Sequence, residues 1–370
     1  MQSPSEGLTT KASAAAPCKS CGGVLNFDPS AGRLRCHGCQ SLQDEQPAVG
    51  HAAVQTEADF EAALRRGAGQ EPDLPTLVLD CPGCGASLRF EPHVVAHCCA
   101  YCQTPLTDVE VQRRRLIQPQ ALLPFALDDS AARTAFRQWV SSRWFAPNAL
   151  QELVKAPQAG RGHYLACWTF DAHSRTDYQG QRGDNRTEEK TVRDAQGREH
   201  TERRTVTDWT FVSGQVRLQF DDELILASSR LPATQHAVLD GMDLSDLRPP
   251  QPELWAGFTV QAYDINLTEG FARARERFEQ RIHEAVCTDI GGDQQRVSQI
   301  DTEYSALRYR HVLLPVWIYS YRWRGRAMQV VVNGRNGRVL GERPWSVWKI
   351  GFAVVAVLAL GATLWLGSQT

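Results

Sequence analysis

The chain has 370 residues, 42% of them hydrophobic and 22% charged, with a formal net charge of −2. That length suggests two or three structural units, and that composition excludes a disordered, collagen-like or polytopic membrane protein. The near-neutral balance also excludes a chain-wide basic footprint for nucleic acid.

Residues 1–17 are small and polar and read as a disordered tail with no secretory signal. At Cys18 a 23-residue segment begins, CKSCGGVLNFDPSAGRLRCHGCQ, and it recurs at Cys81 as CPGCGASLRFEPHVVAHCCAYCQ. The copies share four cysteines together with Gly22/Gly85, Leu25/Leu88, Phe27/Phe90, Pro29/Pro92 and Gln40/Gln103. This internal repeat predicts one small module used twice, over 18–42 and 78–106. The linker between them, 43–77, carries a predicted short helix over 58–66, acidic at its start and Arg-rich at its end as the helix dipole favours. A short strand over 76–80 leads into the second copy.

Residues 116–344 read as an α+β domain built on an antiparallel sheet. A helix is predicted over 130–144 with Ser130 as its N-cap, then an apolar strand over 163–172. Residues 187–212 alternate Thr, charged and β-branched types around DAQG (194–197), which predicts a long solvent-exposed hairpin. Strand 215–220 continues the sheet. A long helix follows over 268–286, capped by Thr268 and with Phe271, Phe278, Ile282 and Val286 as its apolar stripe. Strands over 311–323 and 327–333 end in a turn at NGRNG (333–337). Cys167 and Cys287 lie on apolar strand and helix patterns and read as core residues. The last block, 348–367, contains the uncharged run 350–366 and makes a helix of about 30 Å, the thickness of a bilayer core. Trp345, Trp348 and Trp365 stand at its two ends, and Arg338, Arg343 and Lys349 precede the uncharged run. These features predict a single-pass, tail-anchored protein of the inner (cytoplasmic) membrane with its N-terminal domains in the cytoplasm.

The repeat carries the chemistry. Each copy has the spacing C-x2-C-x14-C-x2-C, with Cys18, Cys21, Cys36 and Cys39 in the first and Cys81, Cys84, Cys99 and Cys102 in the second. Two C-x2-C turns bring four thiolates to one point, the closed tetrahedral set of a structural Zn²⁺ site. Two zinc ions are therefore expected, and each would supply the stability that so small a core cannot. Cys98 is an alternative third ligand of the second site; the repeat alignment favours Cys99, because Cys98 falls opposite Arg35. A closed four-sulfur site leaves no position for substrate, so these zincs read as structural.

Residues 1–110 hold 7 Lys+Arg against 13 Asp+Glu, a net of −6, and phosphate binding needs the opposite sign. Arg113–Arg115 is the one dense basic run. The sequence has no phosphate-binding loop, no H-E-x-x-H and no G-x-S-x-G, so no enzyme is expected.

At CGGVLNFDP, CGASLRFEP, LLPF (122–125), RWFAPNAL (143–150), YLACWTFDA (164–172), LWAGF (254–258), LLPVWIYSY (313–321) and VNGRNGRVLGERP (332–344), the chain resembles a bacterial family. These are membrane-anchored double zinc-ribbon proteins, labelled transcription factor IIB-type zinc ribbon or primosomal protein N′/superfamily II helicase. The missing phosphate-binding loop contradicts the helicase label. The resemblance implies a membrane-anchored adaptor whose ribbons act as docking heads for a protein partner, one of the flotillin-like (SPFH-domain) proteins of envelope-stress responses. It carries no catalytic residues. A nucleic-acid-binding ribbon protein linked to transcription or replication is the alternative reading.

Overall fold

The computed structural model describes residues 17–44, 57–66, 74–89, 98–106, 109–142, 160–193, 199–323 and 326–341, with seven further positions between 351 and 361. The expected tail before Pro17, the turn at 194–197, the segment RWFAPNAL and the repeat residues Phe90 and Pro92 lie outside the described residues.

The first module is a three-stranded antiparallel sheet of β1 (Leu25–Asp28), β2 (Arg33–Cys36) and β3 (Leu42–Gln43). Alternation places Leu25, Phe27, Leu34 and Cys36 on its buried face. The linker then forms β4 (Ala58–Asp59) and α1 (Phe60–Arg66), close to the predicted helix. The second module shares a sheet with β5 (Leu74–Asp80), β6 (Ser87–Arg89) and β7 (Val111–Leu116), in the order β6-β5-β7.

The α+β domain is confirmed as mixed, with an eight-stranded sheet at its centre. After β8 (Ala121–Leu122), helix α2 spans Asp129–Ser141. Its N-cap is Asp128 rather than Ser130: the Asp128 carboxylate accepts from Ala131 N at 2.8 Å, and Ser130 lies inside the first turn. Then come β9 (Arg161–Arg193) and β10 (Glu199–Leu226), paired antiparallel from Glu199↔Arg193 to Leu226↔Cys167. The predicted hairpin is thus present and continues far beyond 187–212. After β11 (Thr259–Val260), helix α3 covers Leu267–Ile290. Asn266, not Thr268, caps it, accepting from Glu269 N at 2.9 Å. Strands β12 (Gln294–Trp323), β13 (Arg326–Asn333) and β14 (Val339–Gly341) complete the sheet, whose main order is β10-β9-β12-β13-β14.

The burial pattern of β9 explains the architecture. Residues 163–170 are buried on both faces, whereas from 172 to 180 only even-numbered residues are buried. The sheet therefore passes from a two-sided core into a one-sided blade. Helix α3 covers the inner face of that blade with Leu267, Gly270, Ala274, Phe278, Ile282, Val286 and Ile290, a three-to-four residue spacing. Phe278 stacks on Phe220 at 4.0 Å between centroids. Phe271, expected in the stripe, is only partly buried and packs against Phe60 of the linker helix. Trp168 is fully buried and Trp317 nearly so. Cys167 is buried as expected, while Cys287 is half-buried on α3.

Among the described residues no helix is long and apolar enough to cross a membrane. The expected span, 348–367, falls mostly outside them. Its seven described positions (351, 354, 355, 357, 358, 359 and 361) are helical and exposed.

Candidate metal centres

Both repeats build their knuckles with the same backbone bonds. In the first, Cys18 O accepts from Gly22 N at 2.8 Å, Cys18 N donates to Gly23 O, and Cys36 O accepts from Gln40 N at 3.0 Å. In the second, Cys81 O accepts from Gly85 N at 2.7 Å, Cys81 N donates to Ala86 O, and Cys99 O accepts from Gln103 N at 3.0 Å. The fourth residue after each opening cysteine turns left-handed: Gly22 at φ 73°, Gly85 at 71°, Gln40 at 61° and Gln103 at 63°. Glycine adopts that conformation at little cost. The two glutamines anchor theirs by donating to His37 O and Ser320 O.

These turns gather each set of four Sγ atoms within 4.8 Å of one another. The nearest pairs are Cys21–Cys36 at 3.4 Å, Cys18–Cys39 at 3.7 Å, Cys81–Cys102 at 3.5 Å and Cys84–Cys99 at 3.7 Å. A tetrahedron with Zn–S bonds of 2.3 Å has edges of about 3.8 Å. The donor sets therefore fit a four-thiolate metal ion. Hydrogen bonds prepare some of the thiols for ligation. A bond to the Ser41 hydroxyl leads the effects that bring Cys18 down to about 5. Burial raises Cys102, but hydrogen bonding with Thr104, and then with Cys81 and Cys84, outweighs it and brings it to about 7.

Of the two neighbouring cysteines, Cys99 is the one that joins the cluster. Cys98 lies outside the cluster, its carbonyl and Sγ both taken by Arg161 at 2.6 Å. All eight sequence-predicted ligands are thus brought together, four and four.

The modules are not free-standing heads. In the first, Phe27 N donates to Ala256 O, and Leu25, Phe27 and Leu34 share one core with Leu254 and Phe258. In the second, Leu88, Cys99, Ala100, Tyr101 and Leu106 share a core with Leu165, Leu314, Val316 and Ile318 of β9 and β12. The Tyr101 hydroxyl meets His163 Nε2 at 3.1 Å inside that core, and burial pushes His163 down to about 3. None of these contacts has a local sequence signal.

Sequence reasoning missed a further cluster. Glu57, Asp171 and Asp222 bring their carboxylates within 4.8 Å of one another where the linker crosses the sheet. Arg310 donates to Glu57, and Asp171 accepts from Asp222 N at 2.7 Å. Asp222 sits at φ 49° in a bulge of β10. The hydrogen bond with Asp171, then burial and the Asp171 charge, push Glu57 up to about 7. Arg310, paired with Glu57, offsets part of the charge gathered there. The basic run Arg113–Arg115 lies on β7, where Arg114 is paired with Asp80.

No family model matches the chain, and no solved structure matches it. Among curated proteins it is similar to the uncharacterized protein YdjG of Bacillus subtilis (strain 168). The two are 23% identical over 250 residues, 66% of this chain and 70% of the relative.

Proposed function

We propose that this chain is a membrane-anchored adaptor: two zinc ribbons brace an α+β sheet that holds out a β arm to a protein partner. The observation that carries the reading is the arm. β12 stops pairing with β9 at Gln294↔Gly183, whereas β9 and β10 stay paired to Arg193↔Glu199. Ten further residues of each strand project beyond the sheet, about 33 Å at strand rise. The arm's charges are matched across its strands: Arg186 with Asp208, Arg203 with Glu189, Arg193 with Glu199. Such a surface offers phosphate little free cation, and it supports recognition of a protein over nucleic acid.

The anchor is residues 348–367. Val354, Val355, Val357 and Leu358 are each between 52% and 68% exposed. The run 350–366 has no charge, and large apolar side chains left uncovered at its described positions suit lipid. The metal is zinc, because four thiolates in a closed tetrahedron favour it. A flotillin-like (SPFH-domain) membrane protein is the partner that the family resemblance implies.

Membrane fractionation and photocrosslinking test the proposal together. The full chain is expected in the alkali-resistant membrane fraction, and deletion of 348–367 releases it. A benzophenone amino acid at position 201 on the arm is expected to trap a protein. A full-length chain that stays soluble refutes the anchor, and recovery of nucleic acid at the arm favours the alternative reading.

A further inference from the structure

The two repeats share their knuckle geometry and differ in what covers it. In the first, Cys21, Cys39 and all residues from His37 to Gln40 are exposed. A Cβ added at Gly22 would meet nothing within 4 Å. In the second, the matching position Gly85 lies under Arg230, with Nη1 3.5 Å from such a Cβ. That same Nη1 donates to Cys84 O at 2.7 Å. The other knuckle is closed as well. Ala100 and Tyr101, which align with His37 and Gly38, are buried, and Ser320 and Gln329 donate to their carbonyls. Cys84 and Cys102 are only half-exposed. One repeat thus presents two thiolates to solvent, while the sheet domain covers the knuckles of the other, burying Cys81 and Cys99 and leaving Cys84 and Cys102 half-exposed.

We propose that the first site is an oxidation site for hydroperoxides, and that the second reacts with them much more slowly. This inference rests on the reading of both clusters as zinc sites. Thiolate reactivity follows access, so Cys21 or Cys39 attacks first. With hydrogen peroxide, the thiolate sulfur takes one oxygen as the O–O bond breaks, giving a sulfenic acid; the other oxygen leaves as water after gaining a proton. The neighbouring thiolate then attacks that sulfur, a second water leaves with a second proton, and the disulfide forms. Each disulfide costs the sulfur pair two electrons, one peroxide and two solvent protons. The nearest pairs are Cys21–Cys36 and Cys18–Cys39. Zn²⁺ keeps its oxidation state and is set free once its ligands are spent. Without it, Leu25, Phe27 and Leu34 lose the frame that presses them against Leu254 and Phe258, so the outcome is a peroxide-dependent uncovering of this apolar contact.

The experiment uses the full chain purified in detergent without chelator, with hydrogen peroxide as the probe and a chromophoric zinc indicator as the readout. About two zinc per chain are expected at the start. One is expected to be released about tenfold or more faster than the other. Peptide mapping after the fast phase is expected to find disulfides among Cys18, Cys21, Cys36 and Cys39 alone. Cys21→Ser/Cys39→Ser is expected to bind about one zinc and to lack the fast phase. Two zinc released at equal rates, or disulfides found first among Cys81–Cys102, overturn the inference and leave the two-site reading intact. A chain purified with no zinc overturns the two-site reading itself.

Discussion

Loss of the second metal site is expected to destabilise the whole sheet domain. The perturbation is Cys81→Ser/Cys84→Ser, which removes half of one ligand set. Leu88, Tyr101 and Leu106 are all at least nine-tenths buried in a core shared with β9 and β12. At roughly 1.5–3 kcal/mol for each large apolar side chain, their release costs roughly 5–9 kcal/mol. That is comparable to the roughly 5–15 kcal/mol that holds a typical domain together. The assay is thermal unfolding of the full chain, followed by tryptophan fluorescence, to which the fully buried Trp168 contributes. At roughly 2–4 °C per kcal/mol for a domain of this size, the midpoint falls by about 10 °C or more, or the chain does not fold. A milder variant keeps the argument open to refutation. Tyr101→Phe removes only the hydroxyl that meets His163, whose Nδ1 already has no partner. That change is expected to cost about 1–3 kcal/mol. An unfolding midpoint within about 2 °C of wild type in both variants would show that the second module is independent and refute the reasoning.

Other outcomes follow from single contacts. Gly270→Ala would ordinarily stabilise a helix by about 0.5–1 kcal/mol. Here the new Cβ would lie 2.7 Å from Trp168 Cδ1, so a loss of about 1–3 kcal/mol is expected in denaturant unfolding; a gain would mean the helix can move aside freely. Asn266→Ala is expected to cost about 1 kcal/mol by removing the cap of α3, while Thr268→Ala leaves the midpoint nearly unchanged. Glu57 titrates at about 7 in the fold against an ordinary 4.5. An acid raised by folding stabilises when protonated, so its contribution is complete below pH 4.5 and is lost as pH rises to about 7. Glu57→Gln is expected to flatten the fall of melting temperature across that window, and parallel profiles for the two proteins would count against the carboxyl cluster.

Much of the metal chemistry was legible because it is local. The C-x2-C spacing and the alignment of Cys99 with Cys36 placed all eight ligands, and the left-handed positions fell on Gly22, Gly85, Gln40 and Gln103, which the copies share. Strand types were legible where burial is two-sided, as over 163–170. Strand lengths were not. Beyond Ala172, β9 alternates Ser, Arg, Thr, Asp, Tyr and Gln over one buried face, a polar texture that resembles loop until α3 is known to lie against it. The caps were misplaced by two residues because Ser130 and Thr268 are good caps in isolation, while Asp128 and Asn266 already bond the first turns. Docking of the ribbons had no signal at all. It depends on meetings such as Tyr101 with His163 and Phe27 with Ala256, far apart along the chain.

β9 is one uninterrupted strand of 33 residues, about 110 Å of extended chain. Its root holds Arg161 and His163, which grip Cys98 and Tyr101 of the second ribbon; its other end is the tip of the arm. A tensile load applied at Arg193 runs along the strand axis and is borne in shear by the flanking ladders of β10 and β12, whose many bonds must yield together. The arm is therefore a stiff lever, and a pull on its tip is a pull on the second four-cysteine module.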